Sequence, residues 1–158
     1  MVKVEYEFDP FELVGLSKRD LSSGARDEAL DLISDYVLES VLSFVGDENS
    51  PVSGRGAFKA LSKEYKAKKE ADGGTPLPNL LMNGDLLDSV KVVRKGDKLK
   101  LTVDQDQQDK ADGHNNFSGD SKIPTRRFIP KEEDGETFKQ SILNGIKTIL
   151  EEAIDAES

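Results

Sequence analysis

The chain has 158 residues, a length typical of one domain (1–158) built around a single hydrophobic core. Its net charge of −9 argues against binding to nucleic-acid phosphates, and the absence of cysteine excludes disulfides and thiolate chemistry. No apolar stretch is long enough to cross a bilayer, and the amino end alternates charged and apolar residues, unlike a signal peptide. We therefore expect a soluble protein made in the cytosol. The hydrophobic content of only 35% favours long exposed helices or support from neighbouring subunits.

The first fifty residues predict a strand followed by a long helix. In VKVEYEF, residues 2–8, apolar and charged residues alternate with the period of two that is typical of a half-buried strand, which Pro10 ends. Ser22 or Ser23 is the expected N-cap of a helix that runs to about Val45. The apolar arc of this helix is broader than one contact needs, so we expect burial within the subunit and against a second one. The main stripe comprises Ala25, Ala29, Leu32, Ile33, Tyr36, Val37, Val41 and Phe44.

The rest of the chain predicts a second helix, a β-hairpin and a closing helix. Residues 57–69 form the second helix, with Phe58, Leu61 and Tyr65 on one side. Two short strands around the turn KGDK form the hairpin, and the closing helix begins at about residue 136. These elements predict an α+β fold: a small antiparallel β-sheet with the long N-terminal helix and the C-terminal helix packed on it, joined by extended loops. The strands lie at 90–94 and 99–103, and mobile loops are predicted at about 46–56, 71–79 and 104–123.

The residues give weak support to enzymatic chemistry. His114 is the only histidine, so a zinc site around it would depend on carboxylates. Asp104, Asp106, Asp109 and Asp112 resemble a calcium loop but lack its glycine at the sixth position and its closing glutamate. The sequence contains neither a G-x-S-x-G nucleophile elbow nor a P-loop for phosphate. We expect no enzyme, no metal site and no other cofactor, with a carboxylate-metal hydrolase built on His114 and the aspartates as the most distant alternative.

Two stripes of like charge are candidate interaction surfaces. The acidic ladder repeats every fourth residue along one face of the long helix, where each like-charge pair costs roughly 0.2–0.5 kcal/mol. The basic segment, residues 55–69, carries six basic residues against Glu64. Three interpretations remain open: solvated helix faces, a channel wall that repels DNA, or docking of the ladder on the basic segment of a neighbouring subunit. The ladder comprises Asp27, Asp31, Asp35 and Glu39, and the basic stripe comprises Arg55, Lys59, Lys63 and Lys66, continued by Lys68 and Lys69.

The stretch IPTRRFIP, residues 123–130, predicts a rigid joint, and we call it the joint segment. Its two prolines limit the residues before them to extended geometry, which puts Arg126 and Phe128 on one side and Arg127 on the other. We expect Phe128 to be an aromatic anchor within the fold and the Arg126 guanidinium to bridge to a carboxylate. This stretch is therefore predicted to join parts of a structure, and not to form an active site.

Four short segments resemble, in order and spacing, a family of tailed-phage virion-morphogenesis proteins, the tail-completion or head–tail joining group. They are FKALSKEYKAKK, LLMNGDLLDSV, GHNNFSG and IPTRRFI, and they extend from about Phe58 to the closing helix, nearly two-thirds of the chain. Within the second of them, Gly84 supplies a backbone shape that bulkier residues resist, Leu86 packs and Ser89 caps a turn. The residues expected to bind partners or to shape the joint are Leu81, Gly84, Leu86, Ser89, Phe117, Gly119, Pro124, Arg126 and Phe128.

This resemblance implies a structural virion protein, a neck or tail-completion component that assembles as a ring at the head–tail junction. Its partners would be further copies of itself and neighbouring neck, connector or tail-tube proteins, with no specific nucleic-acid binding and no membrane. It would be located in the virion, and in the host cytoplasm during assembly. The alternative is a non-viral homo-oligomeric adaptor that uses the two charge stripes to bind other proteins.

Overall fold

A computed structural model gives the fold and describes residues 3–56, 85–115 and 127–157. These residues form an α+β fold, as predicted, in which a long N-terminal helix and a C-terminal helix pack against each other and against a small antiparallel sheet. In the ranges that the structure describes, no helix is long and apolar enough to cross a membrane. The strands and helices in chain order are β1 (Glu5–Phe8), α1 (Pro10–Val14), α2 (Ser23–Gly46), α3 (Asp85–Asp88), β2 (Val90–Lys95), β3 (Lys98–Val103), α4 (Gln108–Asn115) and α5 (Gln140–Glu157).

The sheet has the strand order β1-β3-β2 within the described residues, and both neighbouring pairs are antiparallel. β2 and β3 form the predicted hairpin, whose turn uses Gly96 at a φ of 64°, a left-handed conformation that favours glycine. β1 joins β3 from the amino end, with Glu5 opposite Thr102 and Phe8 opposite Leu99. The predicted alternation in β1 is confirmed, because its aromatic side chains are buried and alternate with more exposed glutamates.

The long helix α2 begins and ends close to the predicted positions. The Ser22 hydroxyl accepts a hydrogen bond from the backbone N–H of Ala25 at 3.2 Å and so caps the helix. The prediction that Leu32 belongs to the buried stripe is wrong, because its side chain is 60% exposed. Leu32 lies about 100° around the helix from Ile33, outside the row of side chains that faces the core. That row has a spacing of four residues and consists of Ala29, Ile33, Val37, Val41 and Val45.

α2 and α5 run antiparallel and approach each other closely. Near their middles, the Tyr36 ring lies over Gly145, where an added Cβ would be 2.1 Å from the Tyr36 hydroxyl oxygen. That hydroxyl donates to the backbone carbonyl of Ser141 at 3.2 Å. At the other end of the pair, the Glu157 carboxylate accepts from the hydroxyl and the backbone N–H of Ser22 at 2.6 and 2.8 Å. These two hydrogen bonds stabilise the ionised form and lower the pKa of Glu157 below its ordinary value.

The segment that follows α2, where the sequence predicted a mobile loop over 46–56, is paired with the residues before α5. Val52 and Phe138 form an antiparallel bridge, and both side chains are fully buried. Two backbone hydrogen bonds of 2.8 Å flank this bridge. Because the residues on either side of Phe138 take part in this extended pairing, α5 begins at Gln140 and not near residue 136.

Two short helices were not predicted. The expected loop over 104–123 is wrong for its first half, since residues 105–107 form a 3₁₀ turn and α4 follows directly. α1 begins after Asp9, whose carboxylate accepts from the Phe11 backbone N–H at 3.0 Å. The predicted helix over 57–69, the predicted loop over 71–79 and residues 116–123 lie outside the described residues.

Candidate functional site

The described part of the joint segment, residues 127–130, is buried at every position. Phe128 and Ile129 are fully buried, and Arg127 is 7% exposed. The prediction that Phe128 is an aromatic anchor within the fold is confirmed. Arg127 and Phe128, which we expected on opposite sides of the segment, are both buried, because neighbouring elements enclose the segment from both directions.

Asn115, the last residue of α4, holds the joint segment from one direction. Its side-chain oxygen accepts hydrogen bonds from the backbone N–H groups of Phe128 and Ile129 at 2.8 and 2.9 Å. Its side-chain nitrogen donates to the carbonyl of Ile129 at 3.1 Å. The amide is 1% exposed, so these bonds satisfy backbone groups that water does not reach. One neutral side chain therefore fixes both the position and the direction of this piece of backbone.

Ser50, in the segment after α2, holds the joint segment from the other direction. Its hydroxyl donates to the carbonyl of Arg127 and accepts from the backbone N–H of Val52 at 3.1 Å. Ser50 is 1% exposed, which makes this a second buried and fully neutral contact. Three parts of the chain that are distant in sequence thus meet at the joint segment.

Arg127 supplies the charged contact of the joint segment. Its Nε lies 3.3 Å from Oε1 of Glu136, and Nη2 lies 3.4 Å from Oδ2 of Asp134. Burial lowers the pKa of the Arg127 guanidinium, and the negative charge of Glu136 opposes this effect. Arg55 also pairs with Glu136, at 2.8 Å. The predicted guanidinium-to-carboxylate bridge exists at Arg127, whereas Arg126, for which it was predicted, lies outside the described residues.

Sequence reasoning missed three of the residues that hold the joint segment: Asn115, Ser50 and Glu136, which we call the clamp residues. Asn115 belongs to the segment GHNNFSG, whose polar residues gave no sign of this role. Ser50 and Glu136 are surrounded by turn-forming and acidic residues, where a polar side chain predicts exposure. Only their contacts show that they are structural.

α4 is attached to the sheet as well as to the joint segment. Gln108, its first residue, is 2% exposed and accepts from the backbone N–H of Val4 at 2.7 Å through its side-chain oxygen. Its side-chain nitrogen donates to the carbonyl of Val103 at 3.1 Å, and the neighbouring Thr102 hydroxyl donates to the carbonyl of Val4 at 2.8 Å. Buried amides therefore hold both ends of α4.

The segment around α3 also behaves as a packed turn. Leu86 is 3% exposed and belongs to the main hydrophobic core, which confirms that it packs. The Ser89 hydroxyl donates to the carbonyl of Leu86 at 2.7 Å and so closes the turn, as predicted. The other residues predicted to bind partners or to shape the joint, namely Leu81, Gly84, Phe117, Gly119, Pro124 and Arg126, lie outside the described residues.

The two charge stripes are partly neutralised within the chain. Asp27, the first residue of the acidic ladder, pairs with Arg94 of β2, and this hydrogen bond raises the pKa of Arg94. Arg55, the first residue of the basic stripe, pairs with Glu136, which neutralises its charge within the chain. The remaining ladder residues, Asp31, Asp35 and Glu39, are exposed, and Lys59, Lys63 and Lys66 lie outside the described residues.

The described residues contain no group of three or more histidine, cysteine, aspartate or glutamate side chains that could hold a metal ion. His114 lies in the last turn of α4, but the structure does not describe its side chain. Comparison with known proteins gave no match, since no protein-family model, no curated protein and no solved structure matches the chain.

Proposed function

We propose that this chain is a structural virion protein of a tailed bacteriophage, a neck or tail-completion component that assembles as a ring at the head–tail junction. The support is the ordered resemblance of four segments together with one observation. Leu86 and Phe128, from two of those segments, are buried in the same hydrophobic core. Residues in these positions act as structural supports, which agrees with a role in assembly.

The clamp residues explain how such a protein could present contact segments from a fixed base. Residues 57–84 follow Gly56, whose carbonyl accepts from the Ser50 backbone N–H at 3.1 Å. Residues 116–126 connect Asn115 to Arg127. Both segments therefore depart from the place where the joint segment is held. In the proposed ring they contact neighbouring subunits, the connector or the tail tube.

This role requires neither a cofactor nor specific binding of nucleic acid. The partners are further copies of the chain and neighbouring neck, connector or tail-tube proteins. The net charge of −9 opposes non-specific retention of DNA, which a protein at the path of the genome must avoid. The protein would enter the virion after its synthesis in the host cytoplasm.

Disruption of the reading frame in a phage genome that carries it tests this proposal. We expect DNA-filled heads and separate tails in electron micrographs of the lysate, and restoration of infectious particles by the intact chain supplied from a plasmid. Purified particles should contain the chain in a fixed number of copies by quantitative mass spectrometry. Normal joined particles that lack the chain would contradict the proposal. A chain that forms oligomers in solution but never enters particles would favour the non-viral adaptor.

A further inference from the structure

An open apolar groove lies between the amino-terminal half of α2 and the carboxy-terminal half of α5. It encloses about 400 Å³, and Leu32 on its wall is 60% exposed. Small residues, including Ala25, Ala29 and Ala153, line much of the groove and leave room for bulky side chains. A leucine exposed at the edge of a row of alanines is a surface that a partner can cover.

The rim of this groove is acidic. Glu28 and Glu152 line it, and neither forms an ion pair with any other residue that the structure describes. Glu157 also lines it and is held by Ser22. α2 and α5 together carry nine acidic residues against two basic ones. The occupant should therefore combine apolar side chains with positive charge.

We propose that the groove binds residues 57–69 of a second copy of this chain. This segment carries five lysines and one glutamate. Its apolar residues Phe58, Leu61 and Tyr65 have the spacing i, i+3, i+7 of an amphipathic helix that lies in a groove. The inference rests on the association of subunits in the proposed function and names the surfaces that associate. The acidic ladder then lies beside the contact, and the groove supplies its apolar part.

We assign the groove to a second copy because, within one chain, the segment begins near the carboxy-terminal end of α2, whereas the groove lies along the amino-terminal half of this helix. Gly56 is bound to Ser50, next to the carboxy-terminal end of α2 and the start of α5. Leu32 is 14 residues before the end of α2 at Gly46, about 21 Å away at 1.5 Å per residue. Phe58 follows Gly56 by two residues and extends at most about 7 Å from it. A segment that comes from another subunit is free of this limit on its approach, and for this reason we take a second copy as the occupant.

Matched substitutions at two exposed apolar residues test the groove. Leu32→Glu should leave the fold intact, because the side chain is already 60% exposed, but it should raise the dissociation constant of self-association about tenfold or more in sedimentation velocity. The control is Val93→Glu, which adds the same charge at a residue of β2 that is 38% exposed, and it should change the constant less than about twofold. Equal effects of the two variants, or no effect of Leu32→Glu, would overturn the inference.

Charge reversal tests the rim. Glu28→Lys with Glu152→Lys should weaken association, and Lys59→Glu with Lys63→Glu should restore it in a mixture of the two variant proteins. Failure of this restoration, while each variant alone remains folded, would contradict the contact. If every variant still associates, the groove is not part of the interface, and the proposed ring is not contradicted. If the wild-type chain stays monomeric at all concentrations, self-association is contradicted, and with it both the groove contact and the proposed ring.

The absence of cysteine allows a direct test of which chain fills the groove. A Leu32→Cys protein mixed with a Leu61→Cys protein under oxidation by copper phenanthroline should give a dimer on a non-reducing gel. The control mixture is Val93→Cys with Leu61→Cys, which should give much less of it. If the double variant Leu32→Cys/Leu61→Cys forms its disulfide only within one chain, the segment belongs to the same subunit and the inference is wrong.

Discussion

Replacement of Asn115 by alanine should destabilise the protein strongly. From the sequence alone one would expect the change to be tolerated, because Asn115 is a polar residue in a stretch without an apolar pattern. The amide oxygen and nitrogen satisfy three backbone groups of Phe128 and Ile129, at distances of 2.8, 2.9 and 3.1 Å. All the partners are buried. Asn115→Ala leaves these groups without a side-chain partner and opens a small polar space beside them.

The size of this effect follows from the number of groups. An unsatisfied buried donor or acceptor costs about 1–3 kcal/mol, so three such groups cost at least about 3 kcal/mol. A water molecule that enters the space can bind some of these groups, which limits the loss to about 6 kcal/mol. Single domains have unfolding free energies of about 5–15 kcal/mol, so the variant would lose a large part of its stability. Asn115→Asp keeps an acceptor for the two N–H groups but loses the donor to Ile129. Its stability relative to the wild type should improve as pH falls towards the ordinary aspartate pKa of about 4, because the buried carboxyl takes up a proton and can donate again.

Urea unfolding followed by circular dichroism measures these free energies, and hydrogen exchange at Phe128 and Ile129 reports on the joint segment directly. Asn144→Ala is the matched control. Asn144 is exposed on α5, and its side-chain oxygen accepts a hydrogen bond from the Gln140 side chain at 2.8 Å, so the change should stay within about 0.5 kcal/mol. If Asn115→Ala behaves like this control, the clamp is not a structural support and the reasoning from its buried hydrogen bonds is wrong.

Three further predictions concern the core, the helix pair and acid stability. Phe128→Ala should lower the free energy of unfolding by about 3–5 kcal/mol, because the ring is fully buried, and wild-type stability in urea would contradict this. Gly145→Ala should displace the Tyr36 ring and lower the free energy of unfolding by about 1–3 kcal/mol. In a Tyr36→Ala background the same change should raise it by up to about 1 kcal/mol, because alanine favours a helix more than glycine does. Additive effects of the two substitutions in this double-mutant cycle would refute the contact. Because Ser22 lowers the pKa of Glu157 in the folded protein, the stabilisation is present above the ordinary glutamate pKa and is lost as pH falls through the folded value. The difference in melting temperature between wild type and Glu157→Gln should therefore shrink below about pH 4, and a constant difference would contradict the linkage.

The elements that the sequence predicted well are those that a local pattern of residues decides. The period of two in β1, the turn around Gly96 and the cap at Ser22 each leave a local pattern, and the structure confirms all three. The signals for α1 were equally local, with Asp9 as its cap and Gly15 at its end, but its five residues are too few to show a helical period.

The parts that could not be predicted depend on buried polar groups. α4 turns Gln108, Ala111 and Asn115 towards the interior, so its inner face contains two amides and one small residue and has no hydrophobic period. Amides can be buried when backbone groups from distant segments satisfy them, and the sequence does not show which segments those are. Leu32 is the opposite case, an apolar residue that is exposed. Its place next to the core row of α2 predicts burial, which this subunit alone does not provide.

The position of β1 in the sheet has a consequence for the order of folding. β2 and β3 are adjacent in the chain and can pair on the timescale of a hairpin, microseconds, as soon as both are available. β1 is made first, yet its partner is β3, and Val4 meets Gln108 across a separation of 104 residues. During synthesis, at about 5–20 residues per second, the amino-terminal strand must wait several seconds without a partner. Its alternating glutamates then have a second use, because charges beside the aromatic residues discourage premature pairing with other chains.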